Sequence, residues 1–279
     1  MGALIWLASY PKSGNTWMRS FLHNLLRGGA TPVDINSMSD FCLGESDAQW
    51  YAPRAGKAVD ELTPEELADV RPIVHQDFTT AFPDSVFVKT HNFLGESFGR
   101  PIHNMEVTAG GIYILRNPLD VVLSLTNHYA ISIEEAIEML DDKEMTTGGN
   151  EKHVFEYLSS WSLHVQSWTQ QPNPQLLVVR YEDLLAKPRK HFKQVASFLG
   201  LKPPSERLER AIRFSSFKAL KAQEEKGGFR EKTDKAQSFF REGKAEQWRE
   251  KLTEDQVRRI ISDHREQMER FGYIPKEYL

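Results

Sequence analysis

Residues 9–17, SYPKSGNTW, bring together side chains that suit an anion. Lys12 supplies a positive charge, and Ser13 and Thr16 supply hydroxyl groups. The apolar residues 4–8 before them are typical of a buried strand, and an apolar repeat at helical spacing follows as far as Gly28-Gly29. Backbone N–H groups and the helix dipole favour an anion at a helix start. This pattern predicts a phosphate-binding loop.

The order of residues in this loop differs from that of a nucleoside triphosphate loop. The pattern G-x-x-x-x-G-K-[ST] is absent because Lys12 precedes Gly14. A magnesium-dependent kinase that binds ATP is therefore the second hypothesis, and a catalytically idle nucleotide-binding module is the third. A simpler interpretation of the loop is that Ser13 or Thr16 only caps the helix and Lys12 is solvated.

Three further strand-like runs, at 85–89, 111–115 and 175–179, each end in polar residues. The first run ends in Lys89 and is followed by Thr90-His91. The second is followed by Arg116-Asn117, and the third by Arg180-Tyr181-Glu182-Asp183. Histidine accepts protons near neutral pH, and a guanidinium group binds phosphate through two hydrogen bonds. Because ligands bind at the carboxyl ends of parallel strands, we expect these residues to line a site.

Apolar spacing predicts helices at 17–26, 119–129, 151–170, 188–199 and 254–270. Their alternation with strands predicts an α/β fold with a central, mostly parallel sheet flanked by helices. With 279 residues, 40% of them hydrophobic, the chain is expected to form a single domain over 1–279. Asn117 and Asp120 are interpreted as turn and capping residues.

The composition excludes several classes of protein. A formal net charge of -4 argues against a nucleic-acid partner, which requires a concentrated basic surface. The single cysteine, Cys42, cannot form an internal disulfide, and no Cys/His cluster has zinc-like spacing. No run approaches the roughly 20 apolar residues of a membrane span. We therefore expect a cytoplasmic protein without a metal.

Four segments in the same order resemble the sulfotransferases that use 3′-phosphoadenosine 5′-phosphosulfate (PAPS). Residues 10–17, YPKSGNTW, resemble the family's YPKSGTTW loop with Asn15 as the departure. Residues 89–91 match its KTH segment, 116–124 its RNPxDVxxS segment and 181–184 its YEDL segment. The resemblance implies a P-loop-like sulfotransferase fold and transfer of a sulfuryl group from PAPS to a small-molecule hydroxyl group or amine.

The resemblance also implies roles for individual residues. His91 would be the general base, Lys12 and Lys89 would offset the charge on the leaving group, and Ser124 would contact phosphate or steer Lys12. The implied donor-binding residues are Lys12, Ser13, Gly14, Asn15, Thr16, Trp17, Arg116, Ser124, Tyr181, Ser215, Phe217, Arg241 and Gly243. Trp17 and Phe217 could stack on the adenine ring through their aromatic faces. The spacing of Trp17 also suits the buried apolar face of its helix.

The carboxyl-terminal part departs further from the family. Ser215 replaces the threonine of its TSF segment, and Glu242 replaces the lysine of FxRKGxxGDW, which weakens the expected grip on the 3′-phosphate. Of the family's dimer segment, KxxxTVxxxE, only Thr253 is kept, and Arg258 reverses a charge. We therefore expect a monomer, or a dimer formed by another surface.

The sequence leaves the acceptor open. Segments 38–56, 93–105, 141–149 and 229–240 are expected to form its pocket. Acidic residues in these loops suit either a cationic acceptor or, as the favoured interpretation, a solvated surface; they are Asp40, Glu45, Asp47, Asp141, Asp142 and Glu144.

Overall fold

A computed structural model of the protein describes residues 3–82, 84–233, 235 and 237–279. Asp234 and Ala236, which belong to the expected acceptor loop 229–240, lie outside the described residues. The Cα positions divide the chain into two compact units. The first contains residues 1–10, 42–113 and 141–178, and the second contains 11–41, 114–140 and 179–279.

A five-stranded sheet has the strand order β2-β3-β1-β6-β7. β1 pairs in parallel with β3, and so does β2. A separate antiparallel pair joins β4 and β5. The strands are β1 (Leu4–Ser9), β2 (Cys42–Gly44), β3 (Val86–Thr90), β4 (Glu96–Ser97), β5 (Arg100–Pro101), β6 (Thr108–Leu115) and β7 (Leu176–Arg180). The expected α/β fold with a central parallel sheet and flanking helices is confirmed.

Helices account for much of the remaining chain. They are α1 (Asn15–Arg27), α2 (Ala48–Ala55), α3 (Pro64–Phe78), α4 (Pro118–Tyr129), α5 (Ile133–Asp141), α6 (Trp161–Thr169), α7 (Tyr181–Ala186), α8 (Pro188–Phe198), α9 (Ser205–Phe214), α10 (Phe217–Gly227), α11 (Trp248–Lys251) and α12 (Glu254–Arg270). Among the described residues, none of the helices is both long and apolar enough to cross a membrane.

In the first unit, strands with buried apolar side chains form the core. Leu4 and Leu7 of β1 are fully buried, as are Val86 and Val88 of β3. The register places Leu7 opposite Lys89 and Ala8 opposite Thr90. Parallel pairing thereby brings the carboxyl ends of β1 and β3 together, as the sequence predicts.

In the second unit, α1 packs its apolar face on other helices. Phe21 of α1 stacks on Phe192 of α8 with ring centroids 4.0 Å apart. The helix ends at Gly28, whose φ of 65° is favourable for glycine. Arg207 of α9 donates hydrogen bonds to the carbonyl groups of Leu25 and Leu26, which lack partners in the helix.

Most predicted elements differ from the observed ones by only one to three residues at each end. The exception is the helix predicted at 151–170, which was wrong in its first half because the observed helix begins at Trp161. Ser159 has a positive φ of 58°, and the Ser160 hydroxyl accepts a hydrogen bond from the Leu163 N–H as the helix cap. Upstream, the Tyr157 N–H donates to Asn92 Oδ1 at 2.7 Å instead of to a helical carbonyl.

Candidate active site

The loop after β1 has a backbone that depends on glycine. Gly14 caps α1 with a φ of 104° and makes no side-chain hydrogen bond as the cap. A Cβ atom at this position would lie 2.8 Å from the Tyr181 ring, so only glycine allows this approach. The interpretation of Ser13 or Thr16 as the helix cap was therefore wrong. The start of α1 retains the anion-binding character of a helix N-terminus.

Lys12 lies in the same loop with a φ of 66°. Its Nζ is 3.4 Å from Nδ1 of His128 and 4.0 Å from the centroid of the Phe239 ring. Burial and the nearby positive charge of Arg116 lower the pKa of Lys12 to about 8. The lysine is thus held against an aromatic ring and not in bulk solvent, and an anion would stabilise its charged form.

Arg116, at the end of β6, faces this loop. Its Nη1 donates to the carbonyl of Lys12 at 2.9 Å, and its guanidinium carbon lies 4.6 Å from the centroid of the Tyr181 ring. Arg116 Nε and the Ser13 hydroxyl are buried and have no hydrogen-bond partner among the described residues. Buried polar atoms without partners are costly. We call Lys12, Ser13, Gly14 and Arg116 the loop cluster; its composition fits a phosphate.

Asn117 and Asp120 follow Arg116 and act differently from each other. Asn117 caps α4, and its side chain accepts from the Leu119 N–H, as expected. Asp120 instead accepts hydrogen bonds from the backbone N–H groups of Glu246, at 2.7 Å, and Trp248, at 3.2 Å. The interpretation of Asp120 as a turn or capping residue of its own helix was wrong, because its carboxylate fastens a loop more than 120 residues away in sequence.

The other donor-binding candidates at the start of α1 and on α4 are mostly buried. Asn15 and Thr16 are buried at the start of α1, and the Thr16 hydroxyl accepts a hydrogen bond from Arg19 at 3.0 Å. Ser124 is half-buried on α4, two turns after Arg116. The structure thus gives Thr16 an intrachain partner while leaving Ser124 on the surface of its helix.

The aromatic candidates pack on one another. The Trp17 ring makes edge contacts with Tyr181 and with Phe192, at centroid distances of 5.6 and 5.3 Å. Trp17 and Phe217 also pack against a buried apolar cluster that includes Ile35 and other residues of the second unit. Both rings therefore help to form the core, and any stacking on adenine would use their remaining faces.

The candidates of the carboxyl-terminal loop have partners of their own. The Ser215 hydroxyl donates to the carbonyl of Ala211 at 2.9 Å. Gly243 has a φ of 62°, and a Cβ there would lie 2.3 Å from the Phe217 ring, so the backbone touches that ring. Arg241 donates to the Gln247 side chain at 3.2 Å.

Glu242, the departure from the family lysine, is neutralised within this loop. Its carboxylate is 2.7 Å from Nζ of Lys251 and 3.6 Å from Nε of Arg241. The Lys251 charge thus offsets the carboxylate that replaces the usual cation.

In the first unit, His91 follows β3 and is fixed by the end of β1. Its Nδ1 is 2.7 Å from the carbonyl oxygen of Ser9, a group that can only accept. Nδ1 therefore carries the proton, and the lone pair is on Nε2. The His91 carbonyl accepts from Nε2 of His164 at 3.0 Å. Burial lowers the pKa of His164 to about 4, so this histidine is neutral at pH 7.

Lys89 and His91 share a partner that the sequence did not single out, Glu156. One carboxylate oxygen accepts from the His91 N–H at 2.7 Å, and the other is 3.3 Å from Nζ of Lys89. The Glu156 side chain is only 5% exposed, whereas the Lys89 side chain is 19% exposed. We call Lys89, His91 and Glu156 the histidine cluster. Its acidic member could not be recognised because 65 residues separate it from His91.

Glu45 shows that one acidic residue of the expected acceptor loops is not solvated. It is fully buried and lies 3.3 Å from Nε of Arg71, with further contacts from Tyr51, His75 and Asn92. Burial raises the pKa of Glu45, but the Arg71 charge and the His75 hydrogen bond outweigh it and hold this pKa well below its usual range. The solvated interpretation was wrong for Glu45. Asp40, Asp141, Asp142 and Glu144 are exposed, and for them the choice between a solvated surface and contact with a cationic acceptor stays a prediction.

The segment around Thr253 has roles within the chain. The Thr253 hydroxyl and the Gln256 side chain form a capping box at the start of α12. Arg258 pairs with Glu254 one turn away at 2.6 Å. The oligomeric state remains a prediction.

Within the described residues, no group of three or more His, Cys, Asp or Glu side chains is arranged to hold a metal ion.

Known proteins with a similar sequence identify the class. The sulfotransferase domain matches residues 4–272 of this chain. Sulfotransferase 1A1 of Rattus norvegicus is 25% identical over 227 residues, which cover 77% of this chain and 66% of that protein. Cytosolic sulfotransferase 17 of Arabidopsis thaliana is 24% identical over 293 residues, which cover 96% of this chain and 75% of that protein.

Two solved structures have a similar fold. A mouse sulfotransferase complexed with PAP (3′-phosphoadenosine 5′-phosphate) has a TM-score of 0.63 and 21% identity. The match covers 95% of this chain and 84% of that chain. Retinol dehydratase in complex with androsterone and the inactive cofactor PAP has a TM-score of 0.64 and 20% identity. This match covers 95% of this chain and 80% of that chain. The α/β fold defined above is thus that of the sulfotransferases. The chain belongs to the sulfotransferase domain family, which confirms the resemblance found in the sequence.

Proposed function

We propose that this protein transfers the sulfuryl group of PAPS to a hydroxyl group, or to an amine, of a small-molecule acceptor. Family membership supports a transferase of this type, and PAP in the two similar structures supports PAPS as the donor. The observation that carries the proposal is the hydrogen bond from His91 Nδ1 to the Ser9 carbonyl, because it fixes the tautomer in which Nε2 is the basic nitrogen.

On the donor side, the loop cluster would hold the nucleotide. The start of α1, Lys12 and Ser13 suit the 5′-phosphosulfate, and Arg116 suits a phosphate through its unpartnered Nε. Ser124 and Arg241 are proposed to contact the 3′-phosphate. Asn15, Thr16, Trp17, Tyr181, Ser215, Phe217 and Gly243 complete the proposed donor-binding set.

The reaction would be an in-line displacement at sulfur. The acceptor oxygen forms a bond to sulfur while the bond between sulfur and the bridging oxygen of the donor breaks. Nε2 of His91 takes the acceptor proton, and Lys12 and Lys89 offset the negative charge that develops on the leaving phosphate oxygen. The sulfuryl group carries less charge than a phosphoryl group, so the proposed reaction does not call for a metal ion.

The acceptor is small in the similar structures that contain one, such as androsterone with retinol dehydratase. We propose a small-molecule acceptor for this chain also, and a cytoplasmic location, which the name of the Arabidopsis relative supports. A kinase remains the competing hypothesis, but no observation of the structure favours it.

The test is incubation with PAPS and a mixed panel of phenols, aliphatic alcohols and amines, followed by mass spectrometry. We expect a product about 80 mass units heavier than one acceptor, which is the mass added by one sulfuryl group, together with release of PAP. A parallel reaction with ATP and magnesium tests the kinase. Phosphorylation of an acceptor, with no transfer from PAPS, would contradict the proposal.

A further inference from the structure

The carboxylate of Glu156 bridges the two groups of the first unit that are proposed to act in catalysis. Its oxygens accept from the backbone N–H of His91 at 2.7 Å and lie 3.3 Å from Nζ of Lys89. The two oxygens of a carboxylate have a fixed separation. A side chain that binds both partners therefore fixes the Lys89 ammonium group relative to the His91 main chain.

Glu156 is itself held firmly by backbone contacts. Its N–H donates to the Thr147 hydroxyl at 2.8 Å, and its carbonyl accepts from the Thr147 N–H at 2.9 Å. The next residue, Tyr157, donates its N–H to Asn92 Oδ1 and accepts from the Phe93 N–H at 2.8 Å. The segment that carries Glu156 thus lies along the segment that follows His91, and the carboxylate has little freedom to move.

Burial strengthens this contact. The Glu156 side chain is 5% exposed, so its ion pair with Lys89 is screened less than a surface pair. A buried carboxylate is costly unless charges and hydrogen-bond donors compensate it, and Glu156 has both: the His91 N–H, the Lys89 ammonium group in contact with it and, farther away, the Arg71 charge. A purely structural hydrogen bond to His91 would need only a neutral acceptor. Lys89 is the cation within ion-pair distance of Glu156, and the negative charge therefore points to Lys89 as the partner that requires glutamate.

We propose that Glu156 is a positioning residue for sulfuryl transfer, which directs the Lys89 ammonium group while it fixes the main chain of His91. This inference rests on the proposed function, in which Lys89 and His91 serve the reaction. Glu156 does not touch a reacting atom in this proposal. It acts through Lys89, and its effect must vanish when Lys89 is absent.

The test uses Glu156→Gln, Lys89→Met and the double variant. Glutamine keeps an oxygen for the His91 N–H but removes the charge that pairs with Lys89. We expect Glu156→Gln to lower kcat on an alcohol by about 10- to 100-fold, with PAP affinity and melting temperature nearly unchanged. The double variant should be no slower than Lys89→Met, because coupled residues are not additive. Glu151→Gln, an exposed glutamate of the same unit that lies outside the expected acceptor segments, is the matched control and should behave as wild type.

A kcat of Glu156→Gln within about twofold of wild type, or losses that multiply in the double variant, would overturn the inference. A second readout does not depend on turnover. We expect Lys89 to be acetylated by acetic anhydride several-fold faster in Glu156→Gln than in wild type or Glu151→Gln, as measured by peptide mass spectrometry. If wild type transfers no sulfuryl group, the proposed function fails. Unchanged acetylation of Lys89 would instead disprove the positioning contact itself.

Discussion

The histidine cluster and the loop cluster deal with charge in opposite ways. In the first unit, Lys89 is paired with Glu156, and the neighbouring buried Glu45 is paired with Arg71. In the second unit, neither Lys12 nor Arg116 forms an ion pair with a carboxylate of residues 3–82, 84–233, 235 and 237–279. Burial, and after it repulsion from the Arg116 cation, lower the pKa of Lys12 instead.

The difference indicates which cluster is complete without a ligand. Buried charges that are paired within the chain keep a fixed geometry, which a general base and its neighbours require, and removing one partner of such a pair is costly. Lys12 is compensated only in part, by Glu231 and Glu224, and its lowered pKa shows that its charge costs stability until an anion binds. Substitutions in the two units should therefore have different consequences for activity, stability and nucleotide affinity.

The largest effect is expected for His91→Ala, measured as turnover of an alcohol. Loss of a general base lowers kcat by about 10²- to 10⁴-fold, while PAP affinity should hardly change. His153→Ala is the control, since His153 is exposed in the same unit. Near-normal turnover of His91→Ala with an alcohol would eliminate the general-base role and favour a catalytically idle binding module.

A second large effect concerns stability in the first unit. Arg71→Met leaves the carboxylate of Glu45 buried without its cation, which costs about 3–5 kcal/mol. Urea unfolding should report a lower midpoint. Arg54→Met breaks an exposed pair with Asp77 and should leave the midpoint nearly unchanged. Equal shifts for both variants would show that the Glu45 pair is not the stabilising contact inferred above.

The sequence predicted the loop cluster better than the histidine cluster for a physical reason. Lys12 and Gly14 lie in one short loop, and Arg116 ends a strand, so local patterns and the geometry of parallel strands bring them to the same edge. Glu156 and Glu45 reach their partners through contacts between residues far apart in the chain. Nothing in the local pattern of either glutamate indicates whether it is buried.

The wrong helix boundary has the same origin. The apolar spacing of residues 151–160 suits a helix. However, backbone N–H groups of this segment donate hydrogen bonds to the side chains of Thr147 and Asn92 and not to carbonyl groups one helical turn earlier. Tertiary hydrogen bonds outweighed a weak helical preference there. Asp120 was misread similarly, since its position in the first turn of α4 indicates a cap and not a partner for Glu246.

A smaller effect is expected for nucleotide binding in the second unit. Arg116→Ala should weaken PAP binding by roughly 1.5–3 kcal/mol, because a charge-assisted phosphate contact is lost. Calorimetry measures this loss of affinity directly.

In wild type, PAP at 100 times its dissociation constant should add about 2.7 kcal/mol to the free energy of unfolding, and ADP at the same concentration should add less. Equal stabilisation by ADP would contradict a grip on the 3′-phosphate.

The last effect, which separates the clusters by its sign, is expected for Lys12→Met without ligand. The pKa of Lys12 falls from 10.5 to about 8 on folding, so the folded state disfavours the charged form. Below pH 8 the lysine is charged in both the folded and the unfolded state, and the cost is fully present. Lys12→Met should therefore be more stable than wild type at pH 7 by up to about 3 kcal/mol, the equivalent of a pKa fall of roughly 2.5 units.

Between pH 8 and 10.5 the folded wild type releases this proton while the unfolded chain keeps it, so the advantage of Lys12→Met should shrink as the pH rises. With PAP bound at pH 7 the order should reverse, because the nucleotide stabilises the charged lysine of wild type. Thermal melts of both proteins at pH 7 and pH 9.5, with and without PAP, check each sign. A ligand-free Lys12→Met that is less stable than wild type at pH 7 would show that the Lys12 charge is already compensated, as it is for Lys89 in the first unit.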